Sequence, residues 1–133
     1  MLNVCTLLFI RVDRLLTSCS ILVDIYDGDG EPTIYHGKTF TSKVSLRDIC
    51  HAISKYAFVA SPYPVLISAE VHCSLEQQDK IVDIMVEVFG DSIVQAPIAG
   101  RPKIEVLPSP ESLKNKFLLK VGHFRTSPSA STC

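Results

Sequence analysis

A chain of 133 residues has room for one domain, and 47% hydrophobic against 20% charged residues is the balance of a globular fold, not of a disordered segment. The formal net charge of −1 excludes a global field that would draw the chain to nucleic acid or to an anionic membrane. Any recognition of phosphate must therefore come from local lysines and arginines. Five cysteines, odd in number and without CxxC or CxxxC spacing, argue against a zinc site and a disulfide framework, and read as reduced, mostly buried thiols.

Met1 to Ile10 is apolar, but no basic residues precede the run, and Arg11, Asp13 and Arg14 interrupt it before it could span a bilayer. A cytosolic or peripheral protein is the expectation, with the secretory reading as the lesser alternative. Ile21 to Tyr26 reads as a buried strand, short, apolar and bounded by turn signals. It delivers Asp24 and then Asp27 to the turn Asp27-Gly28-Asp29-Gly30-Glu31-Pro32, where glycine and proline forbid regular structure. The alternating oxygens faintly suggest an EF-hand. Pro32, however, stands where that loop needs glycine, and no bidentate glutamate arrives at the twelfth position, so the turn reads as a solvated loop. Ile34-Tyr35-His36-Gly37 then brings an imidazole back toward the carboxylates, a layout suited to oxygen-ligated metal chemistry assisted by histidine.

Ser45 reads as a helix N-cap, followed by Leu46, Ile49, Ile53, Tyr56 and Ala57 at helical spacing. Pro62 and Pro64 end that element and introduce a second strand, Val65 to Glu70. A second helix opens on a potential Ser74–Gln77 capping box. It continues with Ile81, Ile84, Met85 and Val88 on one face and closes at Gly90, where a left-handed cap belongs. Ser109-Pro110-Glu111 predicts a short helix with proline at its first position, and Phe117 to Lys120 a third strand. The polar Ser/Pro-rich stretch from Arg125 to Cys133 reads as a linker or tail. Alternating strands and helices give the rhythm of parallel α/β architecture.

Four residues stand out chemically, each with a plainer alternative. Asp24 at a strand end is either a ligand for a hard cation or the cap of the following turn. Glu70, after an apolar run, needs a partner if buried and is otherwise a surface residue past the strand. His36 titrates in the range that proton transfer requires, although a lone loop histidine is usually idle. Lys120 is a point charge fit for phosphate or an ordinary solvated lysine. His72 reads as structural, and His51 and His123 have no supporting context.

The segments VDIYDGDGEPTIYHGKTFTSK (Val23 to Lys43), SPYPVLISAEVHCSLEQQ (Ser61 to Gln78) and LPSPESLKNKFLLK (Leu107 to Lys120) resemble, in order, the X region of eukaryotic phosphoinositide-specific phospholipases C. The likeness runs from about Leu22 to Lys120. It implies α/β architecture of one kind, an incomplete (β/α)8 TIM-type barrel holding roughly strands two to four with their helices. Residues 21–121 would be the partial X region, 1–20 an unassigned N-terminal segment and 122–133 a polar tail or linker. By the same resemblance the cofactor is Ca2+, held by Asp24 and Glu70. His36 is the catalytic acid for the departing diacylglycerol, and Lys120 touches the ring phosphates of the substrate. The implied reaction takes phosphatidylinositol 4,5-bisphosphate to diacylglycerol and inositol trisphosphate, in intracellular signalling and lipid catabolism. The implied partners are a phosphoinositide headgroup, the membrane surface approached from the cytoplasm, and the missing X/Y barrel half in the same or another chain, with no nucleic acid.

Four departures bear on that reading. Leu22 stands where the family carries a glutamate that is both calcium ligand and base, Val71 replaces an asparagine, and Gly122 takes the place of a second headgroup lysine. Nothing in Met1 to Ser20 matches the Ser-His-Asn-Thr-Tyr-like motif that ends the family's first strand. The isolated chain is therefore expected to be inactive. The alternative is a truncated remnant that acts only as a phosphoinositide-binding or interaction module.

Overall fold

The computed structural model describes residues 11–15, 18–35, 43–94 and 108–122. Met1 to Ile10, His36, His123 and the tail after it lie outside them. In chain order the elements are β1 (Arg11–Leu15), β2 (Ser18–Tyr26), β3 (Thr33–Ile34), β4 (Val44–Ser45), α1 (Leu46–Tyr56), β5 (Val65–His72), α2 (Leu75–Phe89) and β6 (Phe117–Val121), with a 3-10 turn at Gly90–Ser92.

The centre of the sheet is parallel and follows chain order, β2 beside β5 beside β6. Strand alternation then decides which side chains are covered. Ile21, Val23 and Ile25 of β2, Val65, Ile67, Ala69 and Val71 of β5, and Phe117 of β6 face one way into a single core. Leu46, Ile49, Cys50 and Ile53 of α1 meet them there, with Ile81, Ile84, Met85 and Phe89 of α2. Both described helices therefore pack on the same face of the sheet. The opposite face carries the intervening residues and no helix among the described residues.

Short antiparallel pieces complete the sheet on the other edge of β2. β1 pairs with its first half, from Arg11 opposite Leu22 to Leu15 opposite Ser18. β3 pairs with its end, Ile25 opposite Ile34 and Tyr26 opposite Thr33, and β4 extends β3. The fold is thus mixed α/β, with the strand–helix rhythm of the sequence borne out in β2, α1, β5, α2 and β6.

Local expectations fared unevenly. Ser45 does cap α1, its hydroxyl accepting from the Arg47 N–H at 3.1 Å. Tyr56 continues the helical spacing but lies at the end of α1, beyond the sheet it would have to cover, and is 48% exposed. The Ser74–Gln77 capping box does not form. Ser74 makes no side-chain cap bond, and the Gln77 amide reaches Gly28 instead. Gly90 has the expected positive φ of 50°, but its ψ of −130° feeds the chain into the 3-10 turn rather than a left-handed cap. No helix follows Ser109. The 110–115 stretch is a run of i→i+3 turns ended by Asn115, whose φ of 59° reverses the chain into β6 while its N–H donates to the Pro62 carbonyl at 2.8 Å.

Burial pushes the Cys50 thiol up to about 12, and burial followed by the Asp27 charge pushes Cys73 up to about 11. Both stay protonated near neutral pH. Cys19, Cys50 and Cys73 are all free, which suits structural rather than nucleophilic thiols.

Candidate functional site

The face of the sheet without a helix among the described residues brings three of the sequence candidates together, Asp24, Glu70 and Lys120. Register sets Asp24 of β2 directly beside Glu70 of β5, and Ser68, two residues before Glu70, beside Lys120 of β6. A period of two puts Leu22, Asp24 and Tyr26, then Ser68, Glu70 and His72, then Lys120, on that one face. These residues sit toward the C-terminal ends of parallel strands, where a cleft of about 740 Å³ is lined by Leu22, Asp27, Ser68, Glu70, His72 and Lys120 among others. His36 lies outside the described residues, one position beyond Tyr35.

Around Glu70 the face is aromatic. His72 Nε2 lies 3.3 Å from Glu70 Oε1. The His72 ring stacks on Tyr26 at 4.7 Å between centroids and 13° between planes, and Tyr26 in turn packs on Tyr35 at 4.2 Å. Lys43 Nζ sits 5.7 Å from the centre of the Tyr35 ring. Burial raises the Tyr26 phenol above its ordinary range, and the negative charges of Asp24, Tyr35 and Glu70 add to the shift. Sequence reasoning set His72 aside and did not single out Tyr26. The alternation of β5 was the available signal, since any residue two positions from Glu70 on a strand shares its face.

The acidic turn is solvated as expected, with Asp27, Asp29, Gly30 and Glu31 exposed, and it is also docked onto the helices. Asp27 accepts from the Ser74 backbone N–H at 3.0 and 3.2 Å and from the Ser74 hydroxyl at 3.1 Å, and so supplies the cap expected of Gln77. Gln77 is bonded reciprocally to Gly28, accepting from its N–H at 3.1 Å and donating to its carbonyl at 2.7 Å. Lys80 donates to the Gly30 carbonyl at 2.9 Å. Arg47 ties Glu31 at 3.2 Å to Glu87 at 2.8 Å. The turn that leads toward His36 is thereby fastened to both helices.

Gly28 is required by that geometry. A Cβ there would stand 2.2 Å from the Glu31 carbonyl oxygen and 2.5 Å from Thr33 Cγ2, so the backbone itself would have to move. Gly28→Ala is expected to cost about 2–4 kcal/mol, read as a lower urea midpoint at unchanged slope. A midpoint equal to the parent's would mean that the turn is not held this way.

The donor chemistry of Asp24 and Glu70 suits a hard cation, two carboxylates level with each other on one face. It is short in number. No group of three or more His, Cys, Asp or Glu side chains gathers as a metal site among the described residues, and the neighbour on the same face of β2 is Leu22. Further oxygens would have to come from water, from substrate or from outside the described residues.

The sequence profile described as "Phosphatidylinositol-specific phospholipase C, X domain" matches residues 12–123. The chain belongs to this family. Its relatives include the 1-phosphatidylinositol 4,5-bisphosphate phosphodiesterase delta-4 of Xenopus laevis, 48% identical over 99 residues, which are 74% of this chain and 13% of that protein. The zeta-1 enzyme of Sus scrofa is 44% identical over 111 residues, 82% of this chain and 17% of that protein. Among solved structures, PLC21 of L. pealei matches with a TM-score of 0.66 at 41% identity, over 75% of this chain and 13% of that one. PLC21 of S. officinalis matches with a TM-score of 0.68 at 34% identity, over 84% and 16%. This X-domain chain therefore spans less than a fifth of the length of the relatives it matches. No helix among the described residues is long and apolar enough to cross a membrane.

Proposed function

We propose that this X-domain chain is part of the catalytic barrel of a calcium-dependent phosphoinositide phospholipase C, with its helix-free sheet face forming one wall of the active site. The observation that carries the reading is the meeting of Asp24, Glu70 and Lys120 on one face at the C-terminal ends of parallel strands. Barrel enzymes place reactive groups at that end and keep their helices outside. A doubly wound sheet would carry helices on both faces. Residues 21–121 form the partial X region, equivalent to roughly strands two to four of an incomplete TIM-type barrel, flanked by 1–20 and 122–133. The rest of the barrel comes from the same chain or another.

The substrate is phosphatidylinositol 4,5-bisphosphate, the compound in the relatives' names. Asp24 and Glu70 would hold Ca2+, which when bound supplies positive charge next to the inositol 2-hydroxyl and makes it easier to deprotonate. Lys120 offers a point charge to a ring phosphate. His36 gives its proton to the diacylglycerol oxygen as that P–O bond breaks and the inositol 2-oxygen bonds to phosphorus, the 2-hydroxyl's own proton passing to water because Leu22 stands where the family carries its base. Water then opens the cyclic phosphate. The enzyme works at the cytoplasmic surface of a membrane as a peripheral protein.

Calorimetric titration of the chain with Ca2+ tests the ligand assignment. Weak, millimolar binding is expected, with Leu22→Glu tightening it about tenfold by adding a third carboxylate to the same face. An unchanged affinity in that variant would count against this register, and no heat from either protein would remove Asp24 and Glu70 as ligands.

A second reading, a remnant that binds a headgroup or a partner without turnover, is favoured by Leu22 itself, an apolar side chain lining the cleft beside Ser68. Assay of the chain supplied with the remainder of a relative's barrel separates the two. Hydrolysis supports the enzyme, and headgroup binding with no turnover supports the remnant.

A further inference from the structure

We propose that His72 is a positioning residue for the Glu70 carboxylate, and that Tyr26 seats the His72 ring for that task. The assignment deepens the reading of Glu70 as a cation ligand and rests on it for its functional meaning. Glu70 is a long side chain, 56% exposed, at the rim of the cleft. Left to itself it would sample many rotamers. Of its two neighbours along β5 in the direction of the cleft, Val71 points into the core at 5% exposure and offers no polar atom. His72 shares the face of Glu70 and places Nε2 3.3 Å from Oε1.

The imidazole is itself fixed. Register sets His72 beside Tyr26 on the neighbouring strand, and the two rings stack nearly parallel at 4.7 Å. Tyr35 packs on Tyr26 at 4.2 Å from β3's side, so Tyr26 is held by rings at both neighbours. Stacking sets the plane of the imidazole, and an imidazole whose plane is set offers its Nε2 edge along one direction. Glu70 Oε1 lies 3.3 Å from that nitrogen. The arrangement has the form of an outer-shell partner orienting a ligating carboxylate, an interaction whose loss typically weakens metal binding by 10–100-fold. A ring that served only to cover Tyr26 would do so equally well without a nitrogen at that edge.

Two substitutions in the full chain separate these roles. His72→Phe keeps the stacked ring and removes Nε2, whereas His72→Gln removes the ring and keeps an amide donor of similar reach. Terbium serves as the hard-cation probe, its emission excited through the tyrosines and competed by calcium. Binding is expected to weaken about tenfold in His72→Phe and to stay within about twofold of the parent in His72→Gln. In the metal-free protein, three-bond couplings across the Glu70 side chain should report one rotamer in the parent and in His72→Gln, and averaging in His72→Phe. Equal couplings in the parent and His72→Phe would overturn the proposal, as would terbium binding that His72→Phe leaves untouched. A parent that gives a fixed Glu70 rotamer but no terbium emission would overturn the ligand reading while upholding the orienting contact.

Discussion

Replacing Phe117 by alanine is expected to cost about 3–5 kcal/mol, a large share of the roughly 5–15 kcal/mol by which a whole domain is stable. Phe117 opens β6 with 2% of its surface exposed, and it packs against Phe89 of α2 at 4.5 Å and Phe58 at 4.9 Å, both tilted. Such aromatic pairs add about 0.5–1.5 kcal/mol to what area alone gives. The backbone at the same residue is also engaged, its carbonyl accepting from the Val94 N–H at 2.9 Å. Phe117 therefore fastens β6 both to α2 and to the chain that follows α2. Phe117→Leu, which keeps most of the volume, should cost less than about 1.5 kcal/mol. Urea unfolding followed by circular dichroism measures both. Were the alanine variant to unfold at the parent's midpoint, β6 would not be docked as described, and Lys120 would lose its place beside Ser68.

That link between a buried ring and a surface lysine marks what the sequence can and cannot convey. Strand alternation and helical spacing are local properties, so β2, α1, β5, α2 and β6 were legible from apolar residues two, three and four apart, and Ser45 was legible as a cap. Register is not local. Nothing in the sequence alone says that Asp24 stands beside Glu70, because the two are brought level by α1 and its loops, which carry no mark of the alignment they produce. The acidic turn shows the same limit from the other side. Ser74 and Gln77 have the spacing of a capping box, yet a stronger acceptor from 47 residues away, the Asp27 carboxylate, takes the Ser74 N–H and frees Gln77 to hold Gly28. A charged carboxylate outcompetes the neutral Gln77 carboxamide oxygen for the same amide. The expected helix after Ser109 failed because Asn115 turns the chain left-handed within six residues, before a helical nucleus could be repaid by further bonds. The Tyr35–Tyr26–His72 stack was hidden for a related reason, as it joins two strands and the residue after a third, whose order the sequence does not state.

The second large effect is expected at His36. In a complete enzyme carrying residues 21–121 of this chain, with Leu22→Glu restoring a third carboxylate, His36→Ala should lower hydrolysis by about 10²–10⁴-fold and leave headgroup binding nearly intact. Proton donation to a departing alkoxide is needed only as the P–O bond breaks, so its loss falls on turnover rather than on binding. Segment 18–35 ends at Tyr35, whose ring lies against Tyr26, and the preceding turn is clamped by Ser74, Gln77, Lys80 and Arg47. An imidazolium acid also imposes a sign on the pH profile, because the rate must fall as pH rises and the ring loses its proton. The alanine variant should lack that alkaline limb. Turnover that survives the substitution would remove His36 from the mechanism, and loss of headgroup binding together with turnover would make it a residue that shapes the loop.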